Sequence, residues 1–499
     1  MSSPATVTRA IQSARSRFRG LFGGFRAAYL PILVTYFAFG ASAITAIATL
    51  YFQKDVLKLT PAEVAEIGFW LGLPWSMKMV VGVSSDAYPI FGSRRLAYLL
   101  LGVACSVAGF AALAAAVDTK GGYLAAMLLV TIGFMIQDVV ADALSVEVAR
   151  NDEEVGQIQA LGRMALLVGS ISVGYASGVL AEHIGPHNTF AVAMSLPALV
   201  LLTLPWMRGE VRREATTARS GPLGHGTAGL VLAVGLGYAG LGVALNSLDV
   251  SYAQEIVLVV SVALISFLLR RVRVSAAVAI AAVVIFLFRA TPGVGQGYSY
   301  WAIDRLGFDQ RFLGLLAQVS SILSLIGLIV FRRTIVARPV SFTLFWVVIA
   351  STVLYLPNIG LFYGLHEWLG ISARTFAFID TTISAPLGQL TMVPMLILIA
   401  RSAPPGAEAT MFAIMASWMN LALSASELFS RYLNQAFAVT QQDYSNLGIL
   451  MIAVGVIGLL PLVTLPLLRK YELSSDFPPH EACPVLTGAL RDARFGLTR

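Results

Sequence analysis

The chain carries a long series of apolar segments separated by short polar ones, and this pattern restricts its possible folds more than any other feature. A membrane-crossing helix needs about 20 mostly apolar residues, because irregular backbone cannot face lipid with unpaired polar groups. The composition agrees: 57% of the 499 residues are hydrophobic and 12% are charged, against about 25% charged in soluble domains. We therefore predict an all-α integral membrane protein with many membrane passes.

Fourteen segments have the length and apolar character of membrane helices. They cover residues 30–51, 63–84, 96–117, 121–147, 156–181, 189–207, 227–247, 252–270, 275–299, 310–331, 340–363, 374–400, 407–431 and 445–468. We predict two six-helix bundles with two extra helices inserted between them. The predicted divisions are a tail at 1–28, a bundle at 29–207, a polar linker at 208–226, the inserted pair at 227–274, a bundle at 275–470 and a tail at 471–499.

Basic residues gather in the loops on one predicted side of the membrane. They include Arg94-Arg95, Arg150, Arg270-Arg271, Arg332-Arg333, Arg401 and Arg469-Lys470. Cytoplasmic loops carry such an excess of Lys and Arg, so both termini are predicted to be cytoplasmic, in a multi-pass protein of the cell inner membrane. The net charge of +7 is thus explained by topology, and we do not expect a nucleic-acid partner.

An internal repeat relates the two predicted bundles. Sliding the chain by 249 positions aligns Tyr51 with Tyr300, Phe52 with Trp301 and Asp55 with Asp304. Parallel repeats of this kind build the two halves of major facilitator transporters, whose substrate site lies near the midplane between the halves. The repeat predicts that the helix beginning near 275 corresponds to the first helix of the chain.

Four charged side chains lie at one depth in the first predicted bundle. Lys78, Asp142 and Arg163 are each on the order of 12 Å inside the cytoplasmic end of their helices, at about 1.5 Å of rise per residue, and Asp138 shares a helix face with Asp142, four residues away. One interpretation is a static ion pair, Lys78 or Arg163 with Asp142, that locks the helices together. The other is a charge network at a gate, in which Asp138 carries a proton because two neighbouring carboxylates resist double ionisation.

The second bundle has its own polar side chains at mid-helix depth. Arg289 lies near the midplane, where a lone cation needs an anion: a substrate carboxylate or phosphate, or an acidic residue on another helix such as Asp249, Glu255 or Asp380. Gln389, Asn420 and Trp418 complete the set of candidate substrate-binding residues. Trp418 either stacks on a flat heterocycle or packs between helices.

Several short motifs surround these charges. They are Leu73-Pro74-Trp75 with Lys78, then Gly82, Ser85-Asp86, Pro89-Ile90, Gly92 and Arg94-Arg95, later Asp138-Val139-Val140-Ala141-Asp142-Ala143-Leu144, then Ala290-Thr291-Pro292 and Glu408-Ala409-Thr410. Together they resemble the signature of the folate–biopterin transporter family of the major facilitator superfamily. The resemblance implies a secondary active transporter that works by alternating access on folate- or pterin-like anions, and we expect protons as the coupling ion. It also implies that Gly82, Asp86, Arg94 and Arg95 form a loop that controls conformational change.

Two alternatives stay open at this point. The inserted pair and the region around Asp138 are also similar to permeases for muropeptides, so another organic solute of that kind or a nucleoside-like compound is a second candidate substrate. A non-transporting assembly factor on the same fold is the third possibility, although such a protein has little reason to bury Lys78, Asp138 and Arg289. Neither a catalytic constellation nor metal-ligand spacing occurs in the sequence, so we expect no enzyme, cofactor or metal site.

Overall fold

The computed structural model describes residues 25–115, 117–207, 225–248, 250–271, 276–388, 390, 392–402 and 408–472, which are almost entirely helical. The helices are α1 Ala27–Val56, α2 Pro61–Ser76, α3 Lys78–Ala87, α4 Leu96–Ala115, α5 Lys120–Val148, α6 Asp152–Ala193, α7 Ser195–Leu199, α8 His225–Ser247, α9 Ala253–Arg271, α10 Ala276–Arg289, α11 Gly297–Leu306, α12 Gln310–Ala337, α13 Val340–Phe362, α14 Leu365–Trp368, α15 Ala373–Ser384, α16 Met392–Ser402, α17 Glu408–Ala436, α18 Leu447–Ile457 and α19 Leu465–Glu472. The predicted all-α class is confirmed.

Ten stretches of the described chain are long and apolar enough to cross a membrane, and Ala253–Phe267 and Val278–Arg289 are shorter apolar helices. The predicted segment 63–84 is occupied by α2 and α3, which are separated by Met77. The predicted boundary after residue 181 corresponds to a kink in α6 at Gly185, where φ is 76° and Pro186 follows. The number of fourteen membrane helices and the proposed domain limits stay predictions.

We call α1 to α7 the N-half, α10 to α19 the C-half, and α8 with α9 the inserted pair. The end of the molecule at which α1 begins and α19 ends is the terminal end, and the opposite end is the far end. Contacts between the halves close the far end: Lys54 Nζ lies 2.7 Å from Asp304 Oδ1, and Arg311 Nε lies 2.6 Å from Glu182 Oε2. The structure thus describes the protein with its far end closed.

Two helices of the C-half are interrupted inside the predicted membrane segments 275–299 and 374–400. Residues 290–296 separate α10 from α11, and a 3-10 turn at Ala385–Leu387 follows α15 before α16 begins. The backbone freed at the first break is bonded by α17, since Ser426 Oγ donates to Thr291 O at 2.6 Å and Asn434 Nδ2 donates to Val294 O at 3.1 Å. Broken helices of this kind line substrate and ion sites in many transporters.

The inserted pair packs against both halves. On α8, a Cβ at Gly235 would lie 2.5 Å from Val80 of α3, so these two helices touch closely. On α9, Gln254 Nε2 donates to Glu66 O of α2 at 3.0 Å, and Arg431 Nη1 of α17 donates to Gln254 Oε1 at 2.6 Å. The pair therefore lies where α2 of the N-half meets α17 of the C-half.

The N-half depends on a close approach between α1 and α6. A Cβ at Gly40 would lie 1.9 Å from Leu166 O, and a Cβ at Gly169 would lie 2.3 Å from Phe37 O. These distances leave no room for a side chain, because real Cβ contacts are longer. Small residues allow membrane helices to pack at this distance.

We expect Gly40→Val to lower the melting temperature of the purified protein in detergent. Overpacking a tight contact costs about 1–3 kcal/mol. Here the obstacle is the backbone carbonyl of Leu166, which cannot rotate away as a side chain can. Gly237→Ala on α8 is the matched control, because no atom lies within 4 Å of a Cβ at that glycine. A Gly40→Val protein that melts at the temperature of the Gly237→Ala protein would contradict the packing described here.

Candidate functional site

The site begins at the break between α2 and α3. Pro74 lies inside the last turn of α2, and Met77, with φ −110° and ψ 18°, ends that helix. Lys78 is consequently the first residue of α3. Its ammonium contacts Asp138 Oδ2 of α5 as a hydrogen-bonded ion pair and lies 4.8 Å from the centre of the Trp75 ring.

The two partners of this ion pair differ in exposure. The Asp138 side chain is 6% exposed and the Lys78 side chain is 30% exposed. A carboxylate as buried as Asp138 requires a partner, because an unpaired charge in an apolar medium is costly. Lys78 supplies that partner and keeps part of its own surface accessible.

Asp142, one helical turn beyond Asp138, has different neighbours. It accepts a hydrogen bond from the Tyr36 hydroxyl and one from Gln159 Nε2 at 3.1 Å. The Arg163 guanidinium lies 5.9 Å from the centre of the Tyr36 ring. The structure therefore brings Lys78, Asp138, Asp142 and Arg163 into one layer, but Lys78 pairs with Asp138 and not with Asp142.

A stacked pair of aromatic rings lies beside this layer. The rings of Phe39 and Trp75 have centroids 5.3 Å apart and planes inclined by 25°. Phe39 also lines a cavity of about 270 Å³ between α1 and α6, together with Ser42, Thr45 and Ser170. This region thus combines stacked aromatic rings, hydroxyl groups and a partly exposed lysine side chain, which are groups that bind a flat anionic ligand.

The C-half candidates have varied surroundings. Arg289 ends α10 next to the helix break, is half-buried, and its buried Nε has no hydrogen-bond partner among the described residues. Trp418 is 9% exposed, and its Nε1 donates to Ala282 O at 2.8 Å, so its ring serves helix packing. Asn420 Nδ2 donates to Trp75 O at 3.1 Å and so joins the halves. Gln389 lies outside the described residues.

The acidic residues considered as partners for Arg289 are engaged elsewhere. Asp380 Oδ2 accepts a hydrogen bond from Asn358 Nδ2 at 3.0 Å, and Glu255 Oε1 accepts one from the Tyr432 hydroxyl. Asp249 lies outside the described residues. Within the part of the chain that the structure describes, Arg289 therefore has no acidic partner.

The loop between α3 and α4 is organised around Arg95. Its guanidinium lies 2.6 Å from Asp86 Oδ1 and 2.6 Å from Glu147 Oε1 of α5, and its Nη1 donates to Ser85 Oγ at 2.8 Å. Glu147 is thus a partner of Arg95 across the helices. Arg94 is half-buried. Gly82 faces Val139 of α5, and a Cβ added to Gly82 would lie 3.8 Å from the Val139 side chain.

Two residues of this region were not among the sequence-based candidates. Tyr36 bonds Asp142, and Glu427 of α17 lies against Gly68 of α2. An acidic residue inside an apolar segment is a sufficient signal to have selected Glu427. Among the described residues there is no group of three His, Cys, Asp or Glu side chains that fits a metal ion.

Solved structures share this arrangement of helices. A POT family transporter in complex with a thioalcohol conjugated peptide matches with a TM-score of 0.67 at 16% identity, over 91% of this chain and 98% of that one. A mutant of the nucleoside transporter NupG matches with a TM-score of 0.60 at 12% identity, over 88% of this chain and 99% of that one. The fold is that of a major facilitator transporter, as predicted.

Within that class, the chain belongs to the BT1 family, whose model matches residues 40–479. It is similar to the folate-biopterin transporter of Synechocystis sp., with 31% identity over 88% of this chain and 81% of the relative. It is also similar to folate transporter 2 of Plasmodium falciparum, with 23% identity over 90% of each chain. A probable folate-biopterin transporter 6 of Arabidopsis thaliana shares 24% identity over 89% and 82%. The protein is therefore an integral, multi-pass membrane transporter of a small molecule.

Proposed function

We propose that the protein carries folate- or pterin-like organic anions by alternating access of its two halves, with protons as the coupling ion. The names of the relatives support this substrate class, and the closed far end supports alternating access. We further propose that it lies in the cell inner membrane with both termini cytoplasmic, since the loops with most Arg and Lys lie at the terminal end.

The observation that carries the proposal is the Lys78 ammonium above the Phe39 and Trp75 stack. Offset stacking of aromatic rings contributes about 0.5–1.5 kcal/mol beyond area burial, which suits a flat pterin-like ring. A charge-assisted bond from an ammonium to a carboxylate is roughly twice as strong as a neutral one. The two contacts together recognise a flat ring that also carries an anionic group.

Competition for Lys78 links the substrate to a proton. A substrate carboxylate that takes the Lys78 ammonium displaces the Asp138 carboxylate, which is then buried without its partner. Binding one proton from water neutralises Asp138 and removes the cost of an unpaired buried charge. When the substrate leaves, Lys78 returns to Asp138 and the proton is released, so one proton moves with each substrate anion.

The test is uptake into proteoliposomes that contain the purified protein. We expect accumulation of labelled folate or a pterin against its gradient when the outer solution is acidic, and loss of accumulation when a protonophore removes the pH gradient. A muropeptide and a nucleoside are added as competitors. Competition by either of them, without competition by pterins, would replace the proposed substrate class, and accumulation without a pH gradient would exclude protons as the driving ion.

A further inference from the structure

One face of α17 meets α2 through a row of polar side chains. Asn420 Nδ2 bonds Trp75 O at 3.1 Å, and Ser424 Oγ lies 2.3 Å from the position of a Cβ on Gly72. One turn further toward the far end, Glu427 Oε2 lies 3.0 Å from a Cβ position on Gly68. We call this row the seam, and define it as Asn420, Ser424, Glu427 and Arg431 of α17 with Trp75, Gly72, Gly68 and Glu66 of α2.

The seam joins the halves through a close approach of α2 and α17 at Gly68 and Gly72. At the far end of the row, Arg431 Nε lies 3.9 Å from Glu66 Oε2, and Arg431 Nη1 bonds Gln254 of α9 at 2.6 Å. The N-half contributes glycines and backbone carbonyls opposite Ser424 and Glu427. Such a surface separates without disturbing the packing within either half, and it has to separate whenever the far end opens.

Glu427 is the member of the seam that lacks a partner. It forms no hydrogen bond or ion pair with another described residue, while its carboxyl group faces the Gly68 backbone. The charged groups of α2, α9 and α17 beside it are engaged with other groups: Glu66 with Lys120 at 3.1 Å, Glu63 with Lys120 at 3.6 Å, Arg431 with Glu66 and Gln254, and Glu255 with Tyr432. Arg289 of α10, which also packs against α17, has no acidic partner among the described residues and so forms no ion pair with Glu427. None of them neutralises a Glu427 carboxylate in the closed seam.

We propose that Glu427 is a proton-binding site that links the protonation state of the protein to the opening of the far end. In the closed seam the carboxyl group is neutral, because an unpaired carboxylate between packed helices is strongly disfavoured. When α2 and α17 separate, water reaches the group and it releases its proton. This inference rests on the proposed proton coupling, and it assigns a second titrating group besides Asp138.

Arg431 stabilises the ionised form after the seam has opened. Separation of α2 from α17 removes the Glu66 carboxylate from Arg431, and Glu427 lies four residues earlier on the same helix. A Glu four residues N-terminal to a basic residue is the favourable order for an intrahelical pair. Arg431 therefore exchanges Glu66 for Glu427, and the closed state binds one proton more than the open state at this site.

The test measures the far end directly by pulsed electron paramagnetic resonance in lipid nanodiscs. Spin labels are placed at Val56→Cys and Arg305→Cys, two exposed positions next to the Lys54–Asp304 contact, in a background with Cys105 and Cys483 replaced by serine. In the protein with Glu427 intact, we expect the longer-distance population to grow as pH rises. The open-to-closed ratio changes by at most about tenfold per pH unit, because a single proton is linked.

Glu427→Gln resembles the protonated side chain and is expected to keep the far end closed with no response to pH. Glu367→Gln is the matched control, because Glu367 is an exposed acid at the same end with an 80% exposed side chain. If Glu427→Gln folds poorly, Glu427→Asp provides a second test. It keeps a carboxyl group and is therefore expected to show the pH response. A far end that ignores pH with Glu427 present, or one that follows pH equally in Glu427→Gln, would overturn the assignment.

A transport assay distinguishes failure of this inference from failure of the proposed proton coupling on which it rests. Proton-driven accumulation by the unmodified protein tests the proposed coupling alone, and its absence defeats that proposal. If the unmodified protein accumulates substrate, Glu427→Gln is expected to slow both accumulation and exchange of substrate for substrate, because both need a far end that opens. Unchanged accumulation and exchange in Glu427→Gln would leave the coupling in place and reject Glu427 as the proton site that controls the far end.

Discussion

Lys78→Ala is expected to abolish concentrative uptake and also to lower the melting temperature of the protein without substrate. The substitution leaves the Asp138 carboxylate, which is 6% exposed, without its cation. Removing one partner of a buried ion pair typically costs about 3–5 kcal/mol. It also removes the group that we propose for the substrate anion, so stability and transport fall together.

A second variant separates these two losses. In the double variant Lys78→Gln with Asp138→Asn neither side chain is charged, and we expect most of the stability to return because the pair is replaced by neutral groups that still hydrogen-bond. Transport is expected to stay absent, since neither the anion-binding ammonium nor a proton-binding carboxyl group is present. A double variant that concentrates substrate would show that the pair only holds the helices together.

Asp138→Asn alone completes the comparison. An amide keeps a hydrogen bond to Lys78 but carries no proton, so substrate binding and exchange are expected to survive while accumulation is lost. Lys120→Ala is the matched control for removal of a lysine from an ion pair, because Lys120 is 36% exposed and exposed pairs contribute about 0–1 kcal/mol. Normal accumulation by Asp138→Asn would remove Asp138 from the coupling step.

The sequence alone could predict that the charged residues around Lys78 lie close together, because depth in a membrane helix follows from the number of residues counted from its end. Counting from the loop places Lys78, Asp138, Asp142 and Arg163 together, and their contacts agree. The identity of each partner was not accessible in this way. Lys78 takes Asp138 instead of Asp142 because Tyr36 and Gln159 already occupy Asp142, and those contacts come from two other helices.

Local spacing does not reveal the partner of Glu147. An acid three residues before Arg150 suits an intrahelical pair, yet Glu147 lies 2.6 Å from the buried Arg95. Arg95 is 7% exposed and needs neighbouring carboxylates as partners. Its ion pair with Glu147 is therefore stronger than a solvated pair between Glu147 and Arg150 on the helix surface. Such competition between a local and a distant partner is decided by burial, which a sequence alone does not give.

The interruptions in α10–α11 and α15–α16 were also absent from the predicted segments, which run through 275–299 and 374–400. The Thr291-Pro292-Gly293 and Ala385-Pro386 sequences are the signals, since proline removes a helix donor and restricts the preceding residue. Apolar membrane helices tolerate proline when neighbours satisfy the freed backbone, so the signal does not by itself decide between a kink and a break. Hydrogen bonds between hydroxyl and amide groups of α17 and the freed backbone stabilise a break at residues 290–296.

Arg289→Lys and Arg289→Gln are expected to weaken substrate binding about ten- to a hundredfold, since losing a charge-assisted contact costs on the order of 1.5–3 kcal/mol. A guanidinium binds a carboxylate or phosphate in a bidentate manner, whereas an ammonium acts as a point charge, so even the lysine variant loses the contact geometry. The measurement is the affinity for folate, taken from the shift in melting temperature that ligand binding produces.

The same variants tell a ligand site from a structural one. Because Arg289 has no acidic partner among the described residues and its Nε lies buried without a hydrogen bond, we expect the melting temperature without ligand to stay near that of the unmodified protein. Arg305→Gln, an exposed arginine of the adjoining α11, is the control for loss of a positive charge. A lowered melting temperature with unchanged affinity would assign Arg289 to helix packing, and recognition of the substrate anion would then fall to Lys78 and Arg163 in the N-half.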